Sequence, residues 1–93
     1  MHILLVQVGF HLPTPQSLKD KRALLKPILH HLRTEYNVSV AETGDQDLWQ
    51  SVELAIVMVS TSTDHLDAIE RRILDDLEGK FDVALTVCDR QWL

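Results

Sequence analysis

The first helix that the sequence predicts carries a row of basic side chains whose chemistry suits an anionic partner. At 100° per residue they fall within an arc of about 80°, roughly 120° from the centre of the apolar stripe of the same helix. The set, called the basic ridge below, is Lys19, Arg22, Lys26, His30 and Arg33. No acidic residue lies on the ridge to form the usual i,i+4 pairs. The ridge therefore predicts a contact with RNA or an acidic protein, and the alternative is a solvated face that keeps the protein soluble.

A second candidate region is the loop over residues 43–51, which holds one aromatic side chain among carboxylates and amides. Four carboxylates surround it: Glu42, Asp45, Asp47 and Glu53. Their spacing matches no calcium-binding loop, so we predict no metal site. We interpret Asp47, Trp49 and Gln50 as a recognition element with Trp49 as its anchor. The alternative is a Trp49 ring that folds over the end of the sheet.

The arrangements that mark common catalytic and cofactor sites are missing from the sequence. The five histidines are scattered, and His30 and His31 point about 100° apart on a helix, which argues against a zinc site. The single cysteine, Cys88, has no close sequence partner that would mark it as a nucleophile. No phosphate-binding glycine loop is present. We predict a non-enzymatic protein without a cofactor, and an enzyme that uses the loop carboxylates is the alternative.

Composition indicates one domain over residues 1–93, with 45% hydrophobic and 25% charged residues. The formal net charge is −5. Residues 1–41 carry five Lys/Arg against two acidic residues, whereas residues 42–93 carry four against twelve, so the halves have charges of +3 and −8. Such an acidic second half disfavours DNA and leaves a local basic patch as the only route to RNA. With no 18-residue apolar run and no signal-peptide pattern, we expect a cytoplasmic protein without a membrane contact.

Hydrophobic periodicity predicts six elements in the order βαββαβ. The expected strands cover 2–12, 37–42, 52–61 and 81–88, followed by a tail at 91–93, and the first helix covers 18–36. The second helix is expected to begin after one of the candidate caps Thr61, Ser62 and Thr63 and to end at Gly79. Ser17 is the expected N-cap of the first helix, and Pro27 lies inside that helix and predicts a kink. This order is typical of an α+β ferredoxin-like two-layer sandwich, in which two helices cover one face of a four-stranded antiparallel sheet.

The other face of that predicted sheet has small, mostly apolar side chains. We expect it to comprise Ile3, Leu5, Gln7, Ser39, Ala41, Ala55, Val57, Val59, Ala84, Thr86 and Cys88. A solvated antiparallel face normally carries polar residues, so we expect another surface to cover this apolar face. We predict a homodimer through it, with Leu5, Ala41, Val57, Val59 and Thr86 in the interface. It has no aromatic side chain, unlike the RNA-binding sheets that stack bases on theirs.

Four separated motifs resemble the YlxP-like family of small bacterial proteins of unknown function. They are His11-Leu12-Pro13, Ser17-Leu18-Lys19-Asp20-Lys21-Arg22, Asn37-Val38-Ser39-Val40-Ala41-Glu42 and Asp47-Leu48-Trp49-Gln50. The resemblance implies a ferredoxin-like fold and a gene context beside translation-initiation and ribosome-maturation factors. It supplies no catalytic residues.

Two functions from different classes follow from the sequence. The first is an accessory protein of translation or ribosome maturation that binds ribosomal RNA or a ribosome-associated protein through the basic ridge. The second is a homodimeric small-molecule-sensing or scaffolding module, in which the loop at Asp47 and Trp49 forms a pocket at the dimer seam.

Overall fold

The computed structural model describes all residues, 1–93, and contains four strands and two helices. They are β1 (His2–His11), α1 (Leu18–Glu35), β2 (Ser39–Gly44), β3 (Ser51–Ser60), α2 (Thr63–Gly79) and β4 (Ala84–Trp92). The βαββαβ order is confirmed, and so is the single antiparallel sheet with its helices packed on one side. Neither helix combines the length and the hydrophobicity needed to cross a bilayer.

The sheet has the strand order β2-β3-β1-β4, so β1 and β3 are central while β2 and β4 form the edges. β1 alternates as the sequence predicts, with Leu4, Val6, Val8 and Phe10 buried against the helices. All seventeen buried apolar side chains belong to one cluster between the sheet and the helix layer. That core holds the two candidate surfaces, the outer side of α1 and the uncovered side of the sheet, on opposite sides of the molecule.

Both helices begin at serine caps. The Ser17 hydroxyl accepts a hydrogen bond from the Asp20 backbone N–H at 3.1 Å, and Ser62 does the same for His65 at 3.2 Å. α1 continues through Pro27 to Glu35 as one helix. The predicted helix is therefore correct in its start and continuity.

β4 departs from the sequence prediction in both bounds and register. It begins at Ala84 rather than 81 and continues through Trp92, so most of the predicted tail pairs with β1. Phe81 and Val83 instead donate their backbone N–H groups to carbonyls in the last turns of α2.

A bulge between the Gly9 and Phe10 pairings shifts the β4 register near Thr86. Val87 consequently pairs with Gly9 on the uncovered sheet face, whereas Cys88 pairs with Val8 on the helix side. The expected position of Cys88 on the uncovered face was therefore wrong. The alternation from Phe81 to Val87 predicts one unbroken face and contains no signal for the extra residue.

Candidate functional site

All five side chains of the basic ridge are exposed along the outer side of α1. From Lys19 to Arg33 the ridge spans about 21 Å at 1.5 Å per residue. None of the four ion pairs in the structure includes a ridge residue. The structure therefore presents four cations in a row, Lys19, Arg22, Lys26 and Arg33, that the protein's own carboxylates leave without an ion pair.

The ridge borders a shallow groove between α1 and the edge strand β2. Its volume is about 370 Å³, and it is lined by Arg22, Leu25, Lys26, Leu29, His30, Arg33 and Glu42. Arg33 closes one end, since its guanidinium donates a hydrogen bond to the Val40 carbonyl of β2 at 3.0 Å. The groove combines an apolar floor with a cationic wall, which can hold an anionic chain by its charges and its aliphatic contacts.

One lysine of the same helix, Lys21, points the opposite way and is 2% exposed. Its Nζ lies 3.0 Å from Glu42 Oε2 and donates a hydrogen bond to the Asp45 carbonyl at 2.6 Å. Glu42 reaches this position because it faces the helix layer from β2, and Asp45 adopts a positive φ of 58° in the loop. Lys21 therefore ties the β2–β3 loop to the start of α1 and neutralises the one carboxylate beside the groove.

The loop that contains Asp47, Trp49 and Gln50 is held by several backbone contacts. Leu48 N–H donates to the Asp45 carbonyl at 3.0 Å, and Leu12 N–H donates to the Gln50 carbonyl at 2.8 Å. The Gln50 side-chain amide donates to the Pro13 carbonyl at 3.2 Å. The loop is thereby fixed next to the segment that leads into α1, at the N-terminal end of the ridge.

Trp49 is 51% exposed and Leu48 is 53% exposed, so the loop presents two adjacent apolar side chains to solvent. Together with His11, Asp47, Gln50 and Ser51 they border an open depression of about 430 Å³. The Trp49 ring therefore does not fold fully over the end of the sheet. The depression lies at the tip of the loop.

A polar cluster that the sequence analysis missed joins the ends of the two helices. Asp76 Oδ2 on α2 accepts hydrogen bonds from His31 Nε2 at 2.8 Å and from the Tyr36 hydroxyl at 2.5 Å. These two bonds lower the pKa of Asp76. Burial and the bond to Asp76 raise the pKa of Tyr36 to about 12. His31 also packs edge-on against Phe81, so the cluster stabilises the contact between α1 and α2.

The remaining histidines and Cys88 form no comparable cluster. No three His, Cys, Asp or Glu side chains converge to hold a metal ion. Desolvation and the Glu70 carboxylate raise the pKa of the Cys88 thiol, which keeps it protonated and unlike an activated nucleophile. Nearby, Arg90 pairs with Asp67 and Glu70 of α2 and stacks over Trp92, which ties the C-terminal half of β4 to the helix layer.

The structure thus separates the candidate residues into three places: the basic ridge lies along the outer side of α1, the depression at Trp49 lies at the end of the sheet beside His11, and the predicted dimer residues lie on the uncovered face of the sheet. The buried role of Lys21 had a signal in the sequence. Lys21 lies about 200° from Lys19 around the helix, on the same side as Leu25 and Ile28. Its partners could not be found in this way, because their positions depend on the register of β2 and the shape of the loop.

Comparison with known proteins gives one family match and one curated relative. Residues 3–90 match a family described as "Protein of unknown function (DUF503)". The chain is 36% identical over 76 residues to "Uncharacterized protein YlxP" of Bacillus subtilis (strain 168), which covers 82% of this chain and 83% of the relative. These matches confirm the resemblance that the four sequence motifs indicated.

Two solved structures of designed proteins share the fold. "De novo designed protein Foldit4" is similar at a TM-score of 0.61 and 19% identity, covering 96% of both chains. A de novo designed protein with ferredoxin fold, LFR1 1, solved by NMR in solution, gives a TM-score of 0.63 at 17% identity, covering 99% of this chain and 85% of the design. At these identities the likeness shows the ferredoxin fold alone.

Proposed function

The chain belongs to the DUF503 family of proteins of unknown function, and from this premise we propose that it is a non-enzymatic accessory protein of translation or ribosome maturation that binds RNA through the basic ridge. The observation that carries the proposal is the row of four unpaired cations, Lys19, Arg22, Lys26 and Arg33, on one exposed helix side. The translational context comes from the gene neighbourhood that the family resemblance implies.

Charge placement favours a polyanion on this side of the molecule. His31 and Asp76 meet on the flank of α1 that faces α2, whereas Arg33 reaches the edge strand β2 on the other flank. The carboxylates of α2 therefore lie on the far side of α1 from the ridge. Glu42 is the acidic residue in the groove, and Lys21 takes up its charge. RNA that approaches the ridge meets cations that have no internal carboxylate partner.

RNA is a better candidate than an acidic protein because the ridge is long and its charges are spaced along it. A row of about 21 Å lets successive phosphates meet successive side chains. Trp49 is exposed in the loop that Lys21 ties to the start of α1, and its ring offers a surface on which an unpaired base can stack, a common element of single-strand recognition.

A charge-reversal experiment tests the proposal. We expect the double variant Arg22→Glu with Lys26→Glu to lose co-sedimentation with ribosomal particles and to lose binding of a labelled single-stranded RNA. Binding that remains at low salt should have a slope of log K against log salt that is smaller by about 1.4, since each lost phosphate contact removes about 0.7. Both side chains are exposed and unpaired, so the free energy of unfolding should change by no more than about 1 kcal/mol.

The matched control is Arg71→Glu with Arg72→Glu, because these two arginines are exposed on α2 and their reversal gives the same net charge. The control should still bind. Unchanged binding by the ridge variant, or equal loss in both variants, would refute a specific role for the ridge. Association that survives nuclease treatment and still requires the ridge would identify an acidic protein as the partner instead of RNA.

A further inference from the structure

The uncovered side of the sheet is a surface that neither helix covers. It carries alternate residues of all four strands: Ile3, Leu5, Gln7, Gly9 and His11 of β1, Ser39 and Ala41 of β2, Glu53, Ala55, Val57 and Val59 of β3, and Ala84, Thr86, Val87, Asp89 and Gln91 of β4. We propose that this open face is the interface of a homodimer, in which a second copy packs on it about a two-fold axis. This inference is independent of the proposed RNA-binding function.

Apolar and acidic residues are separated along the open face. Ile3 pairs with Val59 and Leu5 pairs with Val57, which gives an apolar end in the two central strands. Toward the other end, a hollow above Gly9 is bordered by Glu53 and Asp89. The face therefore has an apolar region and an acidic region, the pattern of an interface core with a polar rim.

A two-fold axis near Leu5 and Val57 suits this separation. The apolar end of one copy would then meet the apolar end of the other, as an isologous interface requires. Glu53 and Asp89 would fall at opposite margins of the dimer, where water solvates them. No like charges are then buried against each other, and the second copy covers the apolar end and the middle of the face.

The area is that of a weak, reversible dimer. The four strands hold 10, 6, 10 and 9 residues, so at about 3.4 Å per residue and 4.8 Å per strand the whole open face is roughly 570 Å² in each copy, of which the offset packing covers about two thirds. Two copies would then cover roughly 800 Å² in total, the size of a transient interface. We therefore expect dimerisation that depends on concentration rather than a permanent dimer.

The two sheet edges are less suited to self-association than the open face. Arg33 already donates to a β2 carbonyl, so it occupies part of that edge. β4 has a bulge at its register shift, a feature that twists an edge strand away from further pairing. Face-to-face packing also leaves α1 outermost in each copy, so both basic ridges remain accessible in the dimer.

The test is the mass of the full chain in solution by sedimentation or light scattering over a concentration series up to about 1 mM, because a transient interface dimerises only at high concentration. The mean mass of the wild type should rise with concentration from the monomer mass of 10.6 kDa toward twice that value. Val57→Glu should raise the dissociation constant about 100-fold, because it places two carboxylates near the axis. The control Leu24→Glu makes the same kind of change on the helix layer, where Leu24 is 40% exposed, and should leave the dimer intact.

A wild type that stays at the monomer mass over this range would overturn the proposal and leave the face to a different partner. A folded Val57→Glu variant that still dimerises would overturn it too, since another surface would then be responsible. If circular dichroism shows that Val57→Glu is unfolded, Val59→Glu decides in the same way, because Val59 is 52% exposed and tolerates the charge in the monomer. The ridge variants should dimerise normally, so failure of one proposal does not affect the other.

Discussion

Replacing Lys21 by methionine is the sharpest test of how the loop is attached to α1. Methionine keeps most of the aliphatic length but removes the ammonium that contacts Glu42 and the Asp45 carbonyl. We expect Lys21→Met to destabilise the fold strongly, although the substitution makes a buried position more hydrophobic.

The magnitude follows from the two contacts. The hydrogen bond from a charged donor to the Asp45 carbonyl contributes about 1.5 to 3 kcal/mol. Loss of the ammonium also leaves the Glu42 carboxylate without its cation, which costs about 1 to 3 kcal/mol. Because Glu42 keeps 22% side-chain exposure, water compensates part of this second cost, and its lower value of about 1 kcal/mol applies. The free energy of unfolding should fall by about 3 kcal/mol, a large share of the roughly 5 to 14 kcal/mol expected for a domain of this size.

Urea unfolding followed by circular dichroism measures this change. With a slope of about 1.5 kcal/mol per molar, the midpoint should fall by about 2 M while the slope stays constant. Lys19→Met is the matched control, since Lys19 lies two residues away on α1 but is exposed, and it should change stability by no more than about 0.5 kcal/mol. The double variant Lys21→Met with Glu42→Gln should recover part of the loss, because it removes the unpaired carboxylate.

A loss below about 1 kcal/mol for Lys21→Met would refute this reasoning. The pair would then behave like an exposed salt bridge, and the loop would have to be held by its backbone hydrogen bonds alone. A double variant as unstable as Lys21→Met alone would show that the bond to Asp45, rather than the charge of Glu42, carries the effect.

Two further predictions concern the helix-end cluster and the loop. Tyr36 is the single tyrosine of the chain, so the phenolate absorbance of the folded protein should titrate at about 12, above the ordinary value of 10.0, and Asp76→Asn should lower the midpoint. Because the pKa of Tyr36 is raised on folding, the stability contributed by its neutral hydroxyl is complete below pH 10 and is lost as pH rises from 10 to 12. Tyr36→Phe should therefore abolish this loss of stability at high pH. A titration midpoint near 10 for Tyr36 in the folded protein would contradict the bond to Asp76. Trp49→Ala should weaken RNA or particle binding by about 2 kcal/mol with little change in unfolding, and a large loss of thermal stability would instead assign the ring to packing.

Local sequence patterns were sufficient for the order of elements and for most of their bounds. The period-two alternation in β1 and the helical spacing in α2 predict which side chains are buried, because each pattern depends only on neighbouring residues. The bounds of β4 and the side chains it buries were less predictable, because they depend on residues far away in the sequence. Its bulge depends on pairing with β1, about 75 residues earlier in the chain, and one extra residue reverses which side chains face the helices.

Local patterns also predicted one part of the candidate site, the basic ridge, whereas contacts between distant residues could not be predicted. The basic ridge follows from angles on one helix, and its residues are all exposed as the helical spacing requires. The cluster of His31, Tyr36 and Asp76 joins residues 40 or more positions apart, and no local pattern places them together. Charges that serve contacts across the fold are therefore easily mistaken for surface charges until the packing is known.

This difference matters most in the segment Lys19-Asp20-Lys21-Arg22, which carries part of the family resemblance. Within one helical turn, Lys19 and Arg22 point to solvent while Lys21 points into the protein and anchors the loop of Trp49. If RNA binds as proposed, a substitution at Lys21 should weaken that binding indirectly, through the loop of Trp49, and should also lower stability. A substitution at Lys19 or Arg22 would change the salt dependence of binding and leave stability nearly unaltered. Measuring salt slope and unfolding on the same variants thus separates recognition from scaffolding within four consecutive residues, which affinity alone cannot do.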